Sequence, residues 1–135
     1  MDLVDALHIS AAGMKTQGSR LRLIAENMAN ADSLGKTPGA DPYRRKVMTF
    51  ENELDRSLGL EMVKVDRVVS DPSEFELRYE PNHPAADDKG YVKLPNVNTL
   101  IELSDMREAQ RSYEANLKVI EASRTMLTRT IDILR

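Results

Sequence analysis

The residues that could do chemistry in this sequence are few and far apart. The two histidines, His8 and His83, could act as bases or metal ligands, but neither has a second histidine nearby at the spacing of a helical metal site. We expect His8 to be solvated or packed on a helix. His83 lies in a Pro-Asn-His-Pro turn, where we expect its ring to cap the turn or to pack. Neither histidine predicts a catalytic or metal site.

Two short clusters of charge could bind ions. Asp87 and Asp88 precede a Lys-Gly pair, but the regular oxygen-ligand spacing of a calcium loop is missing, so we expect a hydrated turn. The run Arg44-Arg45-Lys46 could contact phosphate or peptidoglycan. Three charges are too few for an electrostatic platform in an acidic chain, which favours a solvated run or a strand edge.

Motifs of the common enzyme classes are absent from the sequence. There is no Gly-rich phosphate loop and no Gly-x-Ser-x-Gly nucleophile elbow. Cysteine is absent, which excludes a thiol nucleophile, a disulfide and a Cys-ligated metal. Aromatic residues make up only 4%, so few rings are available to line a ligand pocket. We predict a protein that is not an enzyme and has no cofactor and no metal; an enzyme with an unrecognised site stays open as a rival class.

Length and charge exclude further classes. With 135 residues, the chain is the size of one ordinary domain. Its 19 Lys and Arg against 22 Asp and Glu provide no basic surface for nucleic acid. No apolar run approaches the roughly 18 residues of a membrane span, so we expect no direct membrane insertion. The first residues are acidic where a secretory signal is basic, so we expect no cleavable signal peptide.

The elements that position these residues begin with a predicted helix over residues 3–30, about 40 Å long. Its apolar residues recur at alternating spacings of four and three, which is a heptad pattern with two polar gaps. We expect an assembly and coiled-coil interface at Leu3, Leu7, Ser10, Gly13, Met14, Gln17, Leu21, Ile24, Asn27, Met28 and Asn30.

A second and stronger heptad pattern fills residues 99–135, which contain no Gly or Pro. It predicts a helix of roughly 50 Å that starts at a capping box of Thr99 and Glu102, with Asn98 as a competing N-cap. The interface positions expected here are Leu103, Met106, Tyr113, Asn116, Leu117, Ile120, Leu127, Ile131 and Leu134.

The middle of the chain, residues 31–98, holds all 6 Pro and is rich in loops. Its patterns predict a short helix over Glu51–Leu58 and strands over Val63–Val69, Phe75–Tyr79 and Tyr91–Leu94. Residues 31–42 are expected to form a mobile loop. The predicted fold is therefore mainly α: long terminal helices (residues 1–30 and 99–135) paired as an antiparallel coiled coil, with a small β-containing middle domain (31–98).

Small and amide residues raise two further questions. Ala6, Ser10 and Gly13 form a narrow strip along the first helix, although each interior Gly costs about 1 kcal/mol of helix propensity. The strip indicates either close approach of another helix or an exposed face, and both interpretations stay open. Asn27 and Asn116 could fix the register of a seam. Asn30 is explained more simply as a helix cap.

Both ends resemble one known family, the axial proteins of the bacterial flagellum. The first helix resembles their amino-terminal motif in Ser10-Ala11-Ala12-Gly13-Met14, Gln17, Arg20-Leu21, Ile24-Ala25, Asn27 and Ala29-Asn30, and the second is similar to their terminal helix in Ala109, Arg111-Ser112-Tyr113, Ala115-Asn116 and Val119-Ile120. The middle resembles the proximal rod members in Pro42-Tyr43-Arg44-Arg45, Tyr79-Glu80-Pro81, His83-Pro84, Gly90-Tyr91-Val92 and Pro95-Asn96-Val97-Asn98.

This resemblance implies a structural subunit of the hollow flagellar rod, exported through the flagellar apparatus without a cleavable signal peptide and located in the periplasmic basal body. The implied partners are other copies of the chain, the other proximal and distal rod proteins, the rod-to-ring adaptor, the membrane ring complex and the export apparatus. A non-catalytic coiled-coil adaptor or secretion chaperone is the main alternative. Such a protein would form a discrete oligomer instead of a polymer.

Overall fold

The computed structural model of the chain describes residues 2–134. In chain order the elements are α1 (Leu3–Ala29), β1 (Lys46–Asp55), β2 (Leu60–Ser70), β3 (Glu76–Tyr79), β4 (Tyr91–Leu94) and α2 (Thr99–Ile133). Two long terminal helices and a small middle with short strands confirm the mainly α prediction. Among residues 2–134, no helix combines the length and apolar character needed to cross a bilayer.

Amide side chains define the helix ends that face the middle of the chain. Asn30 follows α1 and its Nδ2 donates to the Glu26 carbonyl at 2.8 Å, so the predicted capping role is confirmed. At the start of α2, Asn98 Oδ1 accepts from the backbone N–H of Leu100 at 3.0 Å. Asn98 is therefore the N-cap. The alternative capping box is not formed, because the Glu102 side chain makes other contacts.

The predicted helix over Glu51–Leu58 is wrong, because these residues end β1 and form the turn of a hairpin with β2. In the turn, Asp55 Oδ1 accepts from the backbone N–H of Ser57 at 2.9 Å. Gly59 then takes a positive φ of 66°, which a residue without Cβ adopts readily. Pairing with β2 outweighs the weak helix preference of the glutamates in this segment.

The shorter strands β3 and β4 pair antiparallel, with Glu76 opposite Leu94 and Tyr79 opposite Tyr91. These strands and β2 confirm the three predicted strand segments. They form two separate two-stranded sheets, β1–β2 and β3–β4. On one face of the β3–β4 pair, Val92 is fully buried.

The chain forms two compact units. The first combines residues up to 21, residues 48–67 and residues from 106 onward; the second combines residues 22–47 and 68–105. Each unit draws on segments far apart in sequence. The division into domains at residues 30 and 98 stays a prediction.

The interior of the described chain is small, and five of its twelve buried side chains are polar. The buried apolar side chains are Leu23, Ile24, Pro42, Ala85, Val92, Pro95 and Ala109, and the buried polar ones are Ser10, Thr16, Asn27, Glu102 and Ser123. An ordinary core would be dominated by large apolar residues. Hydrogen bonding must therefore carry much of the specificity of the packing.

Residues 31–42 have no helix or strand, as predicted for a loop. Several backbone hydrogen bonds hold the segment, among them those from Tyr43 N–H to the Ser33 carbonyl at 2.9 Å and from Gly39 N–H to the Ala85 carbonyl at 3.3 Å. Its mobility stays a prediction.

Gly59→Ala and Gly90→Ala separate two ways in which a new methyl group destabilises the fold: an unfavourable backbone conformation and a steric clash. Both glycines have positive φ, 66° and 85°, so alanine costs about 1 kcal/mol at either position. Only at Gly90 would the methyl also lie 2.9 Å from the Tyr79 ring and 3.1 Å from Pro81. We expect Gly90→Ala to lower the free energy of unfolding more than Gly59→Ala, measured by urea denaturation. Equal losses would contradict the close contact at Gly90.

Candidate assembly surface and its supporting network

One side of α2 is buried or half-buried along most of the helix, and we call it the inner stripe. Its members follow one another at spacings of four and three: Glu102, Met106, Ala109, Tyr113, Asn116, Ile120, Ser123 and Leu127. Large side chains alternate with small or polar ones. The heptad pattern predicted for α2 is therefore present, but half of its positions are shifted.

Some of the interface positions predicted for α2 lie on the inner stripe, and others lie beside it. Met106, Tyr113, Ile120 and Leu127 lie on the inner stripe, with Asn116, as expected. Leu103 and Leu117 do not, since they are 40% and 39% exposed, and Ile131 and Leu134 are more exposed still, at 61% and 82%. Glu102 lies at the inner position beside Leu103, and Ala109 and Ser123 occupy two further inner positions. An apolar pattern misses these three residues because they are small or charged. Contacts of the four exposed residues with other molecules stay a prediction.

Exposed apolar residues flank the inner stripe on both sides. Leu103, Leu117 and Ile131 form a first outer stripe, and Val119, Met126 and Ile133 form a second, each with members separated by multiples of seven. Because each residue advances about 100° around a helix, Leu117 and Val119 lie on opposite sides of Ile120. The apolar surface of α2 is thus wider than the part that the chain itself covers.

The predicted interface residues of α1 are mostly covered. Ser10, Gly13, Ile24 and Asn27 are buried, and the half-buried ones are Leu3, Leu7, Met14, Gln17, Leu21, Met28 and Asn30. A second side of α1, not predicted, meets the hairpin: the buried Thr16 donates from its hydroxyl to the Val63 carbonyl at 3.3 Å. Thr16 and Leu23, also buried, lie outside the seven-residue pattern that the sequence shows most strongly.

Gly13 meets α2 of the same chain. A Cβ built at Gly13 would lie 2.7 Å from Asn116 Nδ2, so no side chain fits without moving that amide. Asn116 Nδ2 also donates to the Ser112 carbonyl at 3.0 Å. Of the two interpretations of the small strip, the structure supports close helix approach at Gly13, and the approaching helix is the chain's own α2.

A second network is centred on Asn27, whose side chain uses its full hydrogen-bonding capacity. Its Nδ2 donates to the Lys46 carbonyl at 2.8 Å and to Glu102 Oε2 at 3.2 Å. Its Oδ1 accepts from the Lys46 backbone N–H at 3.0 Å and from the Tyr43 hydroxyl at 2.9 Å. Burial, which is the largest cause, and nearby Glu26 raise the pKa of Tyr43. One amide thereby joins the ends of α1, β1 and α2.

Arg45 pairs with the other oxygen of Glu102. Its Nε donates to Glu102 Oε1 at 2.5 Å, and its two Nη atoms face Asp71 at 3.3 Å and Asp105 at 3.5 Å. Burial alone would lower the pKa of Arg45, but hydrogen bonds and charges from Glu102 and Asp71 outweigh it and raise that pKa. Hydrogen bonds from Ser73, and then Arg45, lower the pKa of Asp71.

The expectation of a solvated run at Arg44–Lys46 is therefore wrong for Arg45. Arg44 lies over the Phe75 ring, 4.2 Å from its centroid, and Lys46 pairs with Glu26 at 2.5 Å. Sequence reasoning missed this network, because its partners lie far apart in the chain. A weak signal was available for Asn27, which falls at an inward position of the heptad pattern of α1.

The other candidate residues have structural roles or none. His8 is exposed. His83 Nδ1 accepts from the Ala85 backbone N–H at 3.0 Å, so its predicted capping role is confirmed. Asp87 Oδ1 accepts from the backbone N–H groups of Lys89 and Tyr91, both at 2.9 Å, which organises a turn. Within residues 2–134, no three acidic or His side chains are grouped as metal ligands.

Comparison with known proteins identifies the class. Residues 88–133, which include β4 and all of α2, match the family described as the flagellar basal body rod FlgEFG protein C-terminal. The chain is thus related to the structural rod proteins of the flagellum.

Full-length relatives identify the family more narrowly. Flagellar basal-body rod protein FlgC of Agrobacterium fabrum is 54% identical over 130 residues, which is 96% of this chain and 94% of the relative. The proteins of the same name are 39% identical in Aquifex aeolicus and 36% identical in Escherichia coli O6:H1, with 98% of this chain and 97% or 98% of the relative covered. The chain belongs to the FlgC family of flagellar basal-body rod proteins.

Glu102→Ala and Glu108→Ala compare two glutamates of α2. Glu102 belongs to the buried network with Arg45 and Asn27, whereas Glu108 belongs to a surface ion pair. Glu102 is fully buried, whereas the Glu108 side chain, which faces Arg20 at 3.4 Å, is 70% exposed. Removing one partner of a buried pair costs about 3–5 kcal/mol, against about 1 kcal/mol or less at the surface. We expect the corresponding losses in the free energy of unfolding from urea titration. Similar losses would show that the buried network adds nothing beyond an exposed pair.

Gly13→Ala and Gly18→Ala test the close approach of α1 and α2. Both remove a glycine from a helix interior, which stabilises by up to about 1 kcal/mol. Nothing lies within 4 Å of a Cβ at Gly18, whereas at Gly13 the new methyl displaces the amide of Asn116 and breaks its hydrogen bond. We expect Gly18→Ala to raise the melting temperature and Gly13→Ala not to.

A double variant provides the control for this pair. With Asn116→Ala as the background, the methyl at position 13 has room, so Gly13→Ala should regain the stabilisation seen at Gly18. If it does not regain it, a neighbour other than Asn116 limits the space at Gly13.

Proposed function

We propose that this chain is a structural, non-enzymatic subunit of the proximal rod of the flagellar basal body. It polymerises through its terminal helices into a hollow drive shaft that transmits torque and lets exported subunits pass. The observation that carries the proposal is the pair of outer stripes on α2, which leave large apolar side chains exposed along a helix of 35 residues.

The terminal helices pair as an antiparallel coiled coil in this proposal. Two contacts of the first unit support the direction, because Gly13 lies against Asn116 and Arg20 faces Glu108. As residue numbers rise along α1 they fall along α2. Within the second unit, Asn27 bonds to Glu102 in the same sense. The spacing of four and three along the inner stripe is the one that coiled coils use.

The outer stripes are suited to contacts between subunits. Full burial of a large exposed apolar side chain contributes about 1.5–3 kcal/mol, so six partly exposed residues can contribute an amount comparable to the cost of association. Because the two stripes lie on different sides of one helix, each can meet a different neighbour. Contacts of this heterologous kind extend into a helical polymer when they do not close into a ring.

The proposed partners follow from this place in the rod. They are other copies of the chain, the proximal and distal rod proteins, the rod-to-ring adaptor and the membrane ring complex, with the export apparatus delivering the subunit to the periplasmic space. The family name of the relatives, basal-body rod protein, supports this location. A coiled-coil adaptor or secretion chaperone would instead cover its stripes in a discrete oligomer, which light scattering of the purified chain would detect.

Met126→Lys and Thr125→Lys test the second outer stripe with the same added charge on adjacent residues. Both positions are exposed, so either variant should fold with a stability within about 0.5 kcal/mol of the parent. Met126→Lys places the charge where a neighbour should cover the stripe, and we expect it to abolish swimming and incorporation into isolated basal bodies. Thr125→Lys should retain both. Normal rods from Met126→Lys would exclude the stripe from assembly contacts.

A further inference from the structure

The end of α2 extends beyond the part of the helix that α1 covers. In the register of the Gly13–Asn116 contact, Leu3 lies ten residues before Gly13 and so is level with about residue 126 of α2. Residues 128–134, which we call the α2 tip, are all exposed. The tip carries Ile131, Ile133 and Leu134, and Ile133 is 84% exposed. About two helical turns therefore present apolar side chains without a cover from α1.

The same compact unit contains a groove between α1 and the β1–β2 hairpin, with a volume of about 650 Å³. Its lining combines apolar residues, which include Ala12, Leu54, Met62 and Val65, with polar and charged ones. One turn of an α-helix with its side chains, a cylinder 10–12 Å wide and 5.4 Å long, has a volume of about 420–610 Å³. The groove is therefore the size of roughly one helical turn.

The tip cannot fill the groove of its own molecule. On α1 the groove involves residues 12–19, which are level with residues of α2 between Glu108 and Asn116. Residue 128 lies more than ten residues further along a continuous helix, at least about 16 Å away. An α2 tip that enters this groove must come from another molecule.

Charge at the groove also suits the end of a helix. The last carbonyl groups of a helix carry a partial negative charge, and a nearby cation stabilises them. The last turn of α2 contains no basic residue among those described. The groove lining has three cations, Lys15, Arg56 and Lys64, and two carboxylates, Glu53 and Asp55. Lys64 pairs with Glu53 at 2.8 Å, and Asp55 accepts from the backbone N–H of Ser57. Lys15 and Arg56 are therefore the cations that can face a helix end entering the groove.

We propose that the α2 tip of one copy docks into the groove between α1 and the β1–β2 hairpin of a second copy. This contact rests on the proposed rod function and specifies one interface of the polymer. Because tip and groove are different surfaces, the contact is heterologous and propagates along a row of subunits. The centre of the tip is about 19 residues from the level of the groove. If the α2 helices of two docked copies run parallel, this distance corresponds to a displacement of about 28 Å along α2.

Paired cysteines test this contact, because the natural chain contains none. Leu54→Cys and Ile133→Cys are combined in one chain, which replaces the native copy in a motile strain, and isolated basal bodies are oxidised and run on a non-reducing gel. Both side chains are more than half exposed, so neither substitution should disturb the fold. We expect disulfide-linked dimers and larger species that collapse to monomer on reduction, because a disulfide needs Cβ atoms about 3.5–4.5 Å apart.

The single variants are the controls, and each should remain monomeric, since one cysteine alone can link only like surfaces. Incorporation of the double variant without linked species, or equal dimers from a single variant, would overturn the docking proposal and leave the rod function intact. If the double variant were missing from basal bodies, Arg56→Cys with Leu134→Cys would be tested with the same two outcomes. Absence of the parent chain from basal bodies would instead contradict the rod function itself.

Discussion

The second compact unit depends on one buried carboxylate. Glu102 is fully buried, and its two oxygens accept from Arg45 and Asn27. Burying a carboxylate costs several kcal/mol of lost hydration, and the hydrogen bonds that Arg45 and Asn27 donate offset that cost. The start of α2, the residue before β1 and the last turns of α1 must therefore keep one relative arrangement. A polar cluster of this kind contributes specificity where the apolar interior is small.

The small amount of buried apolar surface also shapes the first compact unit. The inner stripe of α2 contains Ala109, Asn116 and Ser123, and the covered side of α1 contains Ser10 and Gly13. Because these residues are small or polar, the helices approach closely but bury few large side chains. The Leu, Ile, Val and Met side chains that α2 leaves exposed lie on the outer stripes and the α2 tip. A monomer built in this way has limited stability of its own, since folding stability comes mainly from buried apolar area. Neighbouring molecules can supply the missing burial, which connects the composition of the interior to an assembly function.

Much of the fold could be predicted from sequence because its signals are local. The limits of α1 and α2 follow from heptad spacing, from Asn30 and Asn98 at the ends, and from the absence of Gly and Pro after residue 99. The strands β2, β3 and β4 follow from alternation and β-branched residues. The helix predicted over Glu51–Leu58 was wrong because this segment becomes a strand by pairing with β2, and local residue preferences do not reveal that pairing. Sequence reasoning missed the Arg45–Glu102 pair for a similar reason, since 57 residues separate its partners and no local pattern connects them.

The register of α2 shows a deeper limit. A helix that packs on one side only has one apolar stripe, and its pattern identifies the inside. Here Leu103 and Leu117 continue the heptad as well as Ala109 and Asn116 do, and by hydrophobicity they are the better candidates, yet they lie outside. When a helix carries three stripes that could pack against a partner, its sequence pattern does not identify the stripe that the partner helix of the same chain covers. In the proposed rod, neighbouring subunits cover the two outer stripes, whereas the chain's own α1 covers the inner stripe, in which small or polar residues alternate with large ones. A pattern with several apolar stripes is what such a division between internal and external contacts produces.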